Sequence, residues 1–233
     1  MSRKQKKLTE LVRFRSSDKD MHERWTDDKA LLSFPRPVRI CISGPCGVGK
    51  SSVIKSLMCC ADPLFEKGWI LHPDENVCET GEFQNCGLEY LPELPDTKWW
   101  YSGNPEKKNH LLVIDDIALD ELNGQQRKLL DRLVSNVSTH AQLSIFMSAQ
   151  VFFSIPTIVR RTTDVFVFFR PINLEMDCKS MSKRVGLSPD TLIALFKDHC
   201  PTKFDSVWID LTPDSPAKIR INGTKVLREI EEN

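Results

Sequence analysis

The sequence predicts an α/β fold in which a mostly parallel central sheet is flanked by helices, with a small helix and a β-hairpin at the C-terminus. Three observations predict this fold. Short apolar runs recur along the chain, helical patterns separate them, and a glycine-rich turn follows the first run. Near-continuous apolar strands that alternate with helices are typical of a parallel sheet covered on both faces. At 233 residues the chain suits one such domain.

The first predicted strand, residues 38–43, leads directly into Gly44–Ser51, which fits the phosphate-binding motif G-x-x-x-x-G-K-[ST], the P-loop. A helical pattern with one apolar face follows, so the motif has the strand and the helix that it requires. Glycines let the backbone N–H groups surround a phosphate, and the helix N-terminus adds positive charge. The residues predicted to bind nucleotide are Gly44, Pro45, Cys46, Gly47, Val48, Gly49, Lys50, Ser51 and Ser52.

Two side chains of the P-loop are predicted to bind the triphosphate and its metal ion. Lys50 has the length and charge to reach the β- and γ-phosphate oxygens, which makes it a catalytic candidate. Ser51 has the hydroxyl that such loops offer to Mg²⁺. The motif therefore predicts ATP and Mg²⁺ as ligands.

Two carboxylates follow the third predicted strand, residues 111–114, which comes after a second strand at residues 69–71. The stretch between these strands, residues 74–109, is polar and rich in Pro, Gly and Glu, and it is predicted to be a long loop. Asp115 follows four apolar residues, as a Walker B aspartate should, and is predicted to hold Mg²⁺ through water. Asp116 is predicted to orient or deprotonate the attacking water, and Asp120 and Glu121, one helical turn further on, are the alternative candidates for this base. An acidic strand end at a turn is the structural alternative.

The fourth predicted strand, residues 143–147, leads to Gln150, whose amide is suited to contact both the γ-phosphate and the lytic water. Arg160 and Arg161 stand between Gln150 and the fifth predicted strand, residues 165–169. An arginine supplied to the γ-phosphate of a neighbouring subunit contributes roughly 10³–10⁵ in rate. One of the two is predicted to be such a finger, with Arg160 preferred. Ordinary surface arginines are the alternative.

We divide the chain into three parts. Residues 1–34 form an N-terminal arm that has a net charge of about +5 over its first fifteen residues. The arm contacts phosphate, directs import, or is a solvated tail. Residues 35–172 form the P-loop ATPase core. Residues 173–233 form an extension packed on that core, with a helix capped by Ser188 and a final hairpin.

The order of these motifs resembles that of the FtsK–HerA-type genome-packaging ATPases of large DNA viruses, virophages and Polinton (Maverick) elements. The resembling stretch runs over residues 38–170 and includes the sequence 140–150, followed by Ile155-Pro156 and an arginine. The helix and hairpin of residues 188–221 are similar as well. The chain departs from the family at Asp116, where many relatives have Glu, and its two adjacent arginines leave the finger unassigned.

This resemblance implies a P-loop NTPase of the ASCE, RecA-like kind that hydrolyses ATP. It implies a homo-oligomeric ring of five or six subunits. The ring would thread double-stranded viral DNA into a preformed capsid and contact a capsid vertex or portal protein. It would work in the host cell interior, in the cytoplasm or nucleus, and transiently at the assembling capsid.

Composition limits the partners of the chain. The formal net charge is +0, so the chain is not a protein that binds nucleic acid through an overall excess of positive charge. Any contacts with DNA would therefore come from local groups of basic residues. No apolar run approaches the roughly 20 residues that span a bilayer. We therefore expect a soluble intracellular protein with no membrane partner.

Other function classes stay open. A viral replication helicase usually has Asn rather than Gln after the fourth strand and has an origin-binding domain, for which this chain has no room. A small-molecule kinase would need a basic lid and would act as a monomer or dimer. A non-hydrolysing assembly switch would gain nothing from water-positioning groups such as Asp116 and Gln150.

Overall fold

The computed structural model of the protein describes Phe34 and residues 36–59, 61, 64–213, 215, 217–223 and 225–227. These residues form one sheet of nine strands with helices on both faces. No helix in this part of the chain is long and apolar enough to cross a membrane. The basic arm predicted at the N-terminus lies outside the described residues except for Phe34, and it stays a prediction.

The elements of the described chain are numbered in chain order, β1–β9 and α1–α7. The strands are β1 Arg39–Ser43, β2 Lys67–Leu71, β3 Leu88–Leu91, β4 His110–Ile114, β5 Leu143–Ala149, β6 Val165–Phe169, β7 Ser206–Asp210, β8 Ile219–Ile221 and β9 Lys225–Leu227. The helices are α1 Lys50–Cys59, α2 Thr97–Ser102, α3 Gly124–Arg132, α4 Ser138–His140, α5 Thr157–Thr162, α6 Leu174–Val185 and α7 Pro189–His199. A π-helical turn, Leu133–Val137, joins α3 to α4, and a 3-10 turn, Phe152–Ser154, follows β5.

The strand order across the sheet is β3-β2-β4-β5-β1-β6-β7-β8-β9. The first six strands in this order are parallel to one another, as predicted. β5 lies between β1 and β4, with Ser43 opposite Ala149 and Ile114 opposite Met147. The carboxyl ends of these three strands meet at one edge of the sheet, which is where open α/β sheets bind their ligands.

Each face of the sheet has its own hydrophobic core. One core packs α3, α5, α6 and α7 against the strands, through residues such as Val159, Met181 and Phe196. The other core lies under α1, where Ile54 and Leu57 are fully buried. These two residues are three positions apart and therefore lie on one face of the helix. Their burial holds the helix that follows the P-loop firmly on the sheet.

The prediction that residues 74–109 are one long loop is wrong. This stretch contains β3, which pairs in parallel with β2, and the short helix α2. β3 is an edge strand of four residues, of which only Leu88 is buried. Asp96 caps α2 by accepting a hydrogen bond from the backbone N–H of Trp99 at 2.8 Å. Elements this short do not show the periodicity on which sequence predictions depend.

The C-terminal part has one more helix than the sequence predicted. This helix, α6, is rich in polar residues, and only Cys178, Met181, Ser182 and Val185 are buried in it. So narrow an apolar face gives a weak periodic signal. The next helix, α7, begins as predicted after Ser188, whose hydroxyl accepts a hydrogen bond from the backbone N–H of Thr191 at 3.0 Å.

The predicted C-terminal hairpin is confirmed, and it continues the main sheet. Val207 in β7 lies opposite both Phe168 in β6 and Ile221 in β8, and both pairings are antiparallel. β9 adds a further antiparallel strand beside β8. The division of the chain into a core that ends at residue 172 and an extension that begins at residue 173 stays a prediction. The strands on the two sides of this boundary, β6 and β7, pair in one continuous sheet.

Candidate nucleotide site

The P-loop forms a tight turn between β1 and α1. The backbone N–H of Gly44 donates to the carbonyl oxygen of Ala149 at 3.1 Å, which ties the start of the loop to the end of β5. A Cβ atom on Gly44 would lie 2.5 Å from the Cβ atom of Phe169, so no larger residue fits there. Gly47 and Gly49 have φ angles of 70° and 102°, in the region that favours glycine.

Lys50 is the first residue of α1, and its side chain is buried against the loop. Its ammonium group donates to the carbonyl oxygens of Gly44 at 3.0 Å and Pro45 at 2.9 Å. Val48 is buried in the core under α1 and anchors the middle of the loop. The loop therefore combines a fixed cation with the N-terminus of a helix, which is the arrangement that binds anions.

The other predicted P-loop residues are accessible. Cys46 is exposed, Pro45 and Ser51 are half-buried, and Ser52 is exposed in the first turn of α1. Among the described residues, apart from the adjoining ones in the chain, no heavy atom lies within 4 Å of the positions that Cβ atoms would occupy on Gly47 and Gly49, so the middle of the loop is open on that side. Backbone N–H groups, an ammonium group and a hydroxyl in this arrangement fit a triphosphate.

Asp115 and Asp116 follow β4 directly but lie in different environments. Asp115 is 2% exposed, and its Oδ1 accepts a hydrogen bond from the hydroxyl of Ser148. A buried carboxylate is costly unless it is hydrogen-bonded, so Ser148 stabilises Asp115 in this position. Asp116 is exposed and has a φ angle of 54°, a left-handed conformation in which Asp is among the commoner non-glycine residues.

Gln150 joins the two aspartates at the edge of the sheet. Its Nε2 donates to Oδ1 of Asp116 at 3.0 Å. The backbone N–H of Asp116 donates to the Ser148 hydroxyl at 3.4 Å, so Ser148 contacts both aspartates. The structure thus brings Asp115, Asp116 and Gln150 together at the strand ends beside the P-loop.

In the described part of the chain neither Arg160 nor Arg161 is hydrogen-bonded to this cluster, and the side-chain hydrogen bond that Arg160 makes goes to Thr157. Both arginines are in the last turn of α5, which leads through Asp164 into β6. The backbone N–H of Asp164 donates at 2.9 Å to the carbonyl oxygen of Arg39, the first residue of β1. Because β1 ends at the P-loop, the end of α5 lies at the opposite edge of the sheet. The structure does not bring either arginine to the P-loop of its own chain.

The two arginines differ in their surroundings. The guanidinium group of Arg160 packs over the ring of Phe152, 5.3 Å from its centroid, and its Nε is buried without a hydrogen-bond partner among the described residues. Arg161 is exposed. Arg184 in α6 donates to the backbone carbonyl oxygens of both, to that of Arg161 at 2.9 Å. Arg184 therefore caps α5, and of the two arginines Arg161 presents its side chain to the surface.

Sequence reasoning did not assign roles to Ser148 and Arg184. Ser148 had a signal, because a hydroxyl interrupts an otherwise largely apolar strand just before Gln150. Arg184 had none. Its contacts with α5 join residues 21 to 24 positions apart through a helix that the sequence did not predict.

A small cavity of about 50 Å³ opens beside the start of the P-loop. Ser43, Gly44 and Gln150 line it on one side, and Ile172 and Asp177 line it on the side of α6. Burial raises the pKa of the Asp177 carboxyl above its usual value. The cavity thus joins the catalytic candidates to an apolar and acidic surface.

No protein-family model matches the chain, and no curated protein matches its sequence. Solved structures do match its fold. The genome packaging NTPase B204 of Sulfolobus turreted icosahedral virus 2, in complex with AMPPCP, has a TM-score of 0.56 and 16% identity, over 82% of this chain and 98% of that chain.

Two further solved structures are similar. The pCW3 conjugation coupling protein TcpA, with ATPγS, has a TM-score of 0.54 and 13% identity, over 83% of this chain and 61% of that chain. EssC (ATPases 2 and 3) from Geobacillus thermodenitrificans has a TM-score of 0.54 and 11% identity, over 84% of this chain and 41% of that chain. At these identities the likeness shows the fold, a mostly parallel P-loop sheet flanked by helices, and confirms the predicted fold class.

Proposed function

We propose that this chain, which has the fold of the P-loop ATPases, is an ATP-hydrolysing motor that translocates double-stranded DNA. The observation that supports this most strongly is the position of β5 between β1 and β4. This position places Gln150, just after β5, where its side chain donates a hydrogen bond to Asp116. A kinase transfers phosphate to a bound acceptor and does not need an amide that contacts both the γ-phosphate and a water molecule. A motor needs one, because it must couple the state of the nucleotide to movement.

The residues of the chain have separate roles in ATP hydrolysis. Lys50 and the loop N–H groups bind the β- and γ-phosphates and offset their charge. Gln150 orients the attacking water together with Asp116. Asp116 accepts a proton from that water as the bond from its oxygen to the γ-phosphorus forms. The bond between the γ-phosphorus and the bridging oxygen breaks, and ADP and phosphate leave.

Ser51 and Asp115 are suited to hold Mg²⁺, since a hydroxyl and a carboxylate are the hard oxygen ligands that this ion prefers. Mg²⁺ would neutralise charge on the β- and γ-phosphate oxygens. The hydrogen bond from Ser148 holds Asp115 at the end of β4, where it faces the P-loop side of the sheet.

Double-stranded DNA is the proposed substrate that the motor translocates. The similar structures include a genome packaging NTPase and a conjugation coupling protein, which supports a DNA-moving function. The more specific proposal is that a homo-oligomeric ring of this chain packages viral DNA into a preformed capsid. It would do so at a capsid vertex or portal protein, in the cytoplasm or nucleus of the host cell.

The proposal is tested by measuring ATP turnover of the full chain with and without linear double-stranded DNA. We expect DNA to raise turnover severalfold, and Lys50→Ala to abolish it because the phosphates lose their cation. The matched control is Lys55→Ala, one and a half turns further along α1, which is expected to hydrolyse ATP as the natural chain does. Turnover that requires a small phosphate acceptor, or nucleotide binding without turnover, would contradict a motor.

A further inference from the structure

A second, larger cavity of about 290 Å³ opens away from the nucleotide site. It lies between the last turns of α1 and the amino-terminal ends of β2 and β3. The P-loop, in contrast, follows the carboxyl end of β1. Because these strands are parallel, the cavity and the P-loop lie at opposite ends of the sheet, and the proposed ATP hydrolysis makes no use of the cavity.

Two cysteine thiols from different elements line this cavity. Cys59 is the last residue of α1 and is exposed, whereas Cys86 lies just before β3 and is half-buried. Cys86 stands between Asn85 and Gly87, which have φ angles of 61° and 71°. Two left-handed residues turn the backbone sharply on both sides of the thiol. A helix end and a turn thus each present one thiol to the same cavity.

The contacts of α1 with the segment before β3 align the two thiols. The ammonium group of Lys55 donates to the carbonyl oxygen of Glu82 at 3.2 Å and lies 5.9 Å from the centroid of the Phe83 ring. Cys59 follows Lys55 by four positions and therefore lies on the same face of α1, one turn further on. Cys86 follows Glu82 by four positions as well. The contact between Lys55 and Glu82 therefore places the two thiols side by side.

The charges around Cys86 agree with this placement. Burial raises the pKa of the Cys86 thiol, the ammonium group of Lys55 opposes the rise, and a negative charge on Cys59 adds to it. Electrostatic effects between side chains fall off with distance, so both residues are close to Cys86. Burial also raises the pKa of Cys78, and a charge on Cys86 raises it further, so Cys78 is the alternative partner.

We propose that Cys59 and Cys86 are a redox-sensitive pair that forms a disulfide bond across this cavity when the protein meets a small disulfide such as oxidised glutathione. In the described part of the chain, no group of three or more His, Cys, Asp or Glu side chains is arranged to hold a metal ion, so the proposal is a bond between two thiols. The bond would tie the end of α1 to the start of β3. It does not depend on the proposed ATPase function.

The exposed thiol reacts first, because oxidised glutathione reaches it from solvent. The Cys59 thiolate attacks one sulfur of oxidised glutathione, the sulfur–sulfur bond of that molecule breaks, and one glutathione thiolate leaves and takes up a proton. The Cys86 thiolate then attacks the Cys59 sulfur and displaces the second glutathione, which is also protonated. The two cysteines lose two protons and two electrons, and oxidised glutathione becomes two molecules of glutathione.

The first test maps the bond in the natural full chain. The chain is incubated with oxidised glutathione, the remaining thiols are alkylated, and tryptic peptides are identified by mass spectrometry without reduction. We expect residues 56–67 to be linked to residues 68–98, in a protein that runs as a single chain on a non-reducing denaturing gel. No linked peptides, disulfide-linked dimers in their place, or the same mixture of pairings in concentrated urea would each overturn the proposal.

Serine variants identify the two sulfur atoms, because each of the linked peptides has two cysteines. Cys59→Ser and Cys86→Ser are both expected to lose the link, and Cys86→Ser is expected to keep glutathione bound to residues 56–67. Cys60→Ser and Cys78→Ser are the matched controls and are expected to keep the link. Cys60 adjoins Cys59 in the sequence, and Cys78 is a second half-buried thiol near Cys86. A link that survives in Cys59→Ser or Cys86→Ser, or that disappears in a control, would contradict the pairing.

Thermal unfolding tests whether the fold already holds the two thiols in place. The bond joins residues 27 positions apart, so the oxidised natural chain should melt roughly 5–10 °C above the reduced chain, and dithiothreitol should abolish the difference. The reduced variants Cys86→Ser and Cys86→Ala should melt close to the reduced natural chain, and oxidation should not raise their melting temperatures. If the oxidised natural chain melts no higher than the reduced one, the thiols meet only by distorting the fold, and the proposal fails.

Discussion

The side chain of Gln150 donates a hydrogen bond to Asp116 Oδ1 at 3.0 Å, although the two residues are 34 positions apart. The bond exists because β5 lies beside β4, with Ile114 opposite Met147, so that the residues after each strand meet at one edge of the sheet. On the other side of β5, the loop that begins at Gly44 is tied to Ala149. One strand thus connects the carboxylates with the phosphate-binding loop.

The pairing of Asp116 with Gln150 predicts that substitutions at these residues lower ATP turnover without weakening nucleotide binding. Asp116→Asn should lower ATP turnover about 10²–10⁴-fold, the contribution typical of a positioned general base, while leaving nucleotide affinity nearly unchanged. Gln150→Ala should lower turnover less, because the carboxylate stays and only its orientation is lost. Single-turnover hydrolysis and equilibrium binding measure the two effects. Asp120→Asn is the control, an exposed carboxylate just beyond the cluster, and a loss there equal to that of Asp116→Asn would refute the assignment.

Ser148 is expected to act as a positioning residue. Ser148→Ala leaves the buried Asp115 without its donor and should reduce turnover and weaken the dependence of nucleotide binding on Mg²⁺. Ser144 is a matched control because it is a second buried serine of β5, and its hydroxyl accepts from the backbone N–H of Val38 at 3.2 Å. Both substitutions should cost about 1–3 kcal/mol of stability by leaving a buried polar group unpaired. Equal effects of the two on the magnesium dependence would show that Ser148 is merely structural.

The two arginines of α5 are expected to have different roles, because their side chains lie in different surroundings. The sequence favoured Arg160 as the finger, whereas its packing over Phe152 and the exposure of Arg161 favour Arg161 for a contact in trans. Arg161→Ala should lower turnover roughly 10³-fold without a change in thermal stability, and Arg160→Ala should lower the melting temperature. Mixing Arg161→Ala with Asp116→Asn subunits should restore part of the activity, since some sites then have both groups. Confirmed mixed assemblies that stay inactive would exclude a role in trans.

The burial of His110 predicts that the free energy of unfolding falls in mild acid. Burial lowers the pKa of His110 below its ordinary 6.5, and its ring packs 5.2 Å from that of Trp69. The unfolded chain therefore takes up a proton below about pH 6.5 while the folded chain stays neutral, so the free energy of unfolding falls until the pH reaches the lowered pKa. The slope is at most about 1.4 kcal/mol per pH unit for one proton.

Urea denaturation at pH 8, 7, 6 and 5 measures this effect. His110→Phe removes the titration and keeps an aromatic ring against Trp69, so its stability should fall less between pH 7 and pH 5 than that of the natural chain. Comparing slopes, rather than absolute stabilities, cancels any packing change. Identical slopes would mean that His110 does not contribute.

The amino-acid sequence by itself determined the local units of this protein. A turn with φ angles open mainly to glycine, an apolar run before it and a helical period after it are short-range patterns, so the P-loop, its strand and its helix were predictable from adjacent residues. The Ser188 cap and the C-terminal hairpin were predictable for the same reason. The weak edge strand β3 and the mixed helix α6 were missed because their burial depends on neighbours that the chain reaches only after folding.

Only the tertiary structure decided how these units meet. Strand order placed β5 between the P-loop strand and the two aspartates, and this gave Ser148 a role that its position in the sequence did not predict. It also ended α5 at the far end of the sheet and packed the guanidinium group of Arg160, the preferred finger, over the ring of Phe152. The physical reason is that a strand's neighbours and a helix's packing face result from the burial of apolar surface over the whole sheet, which no local pattern specifies.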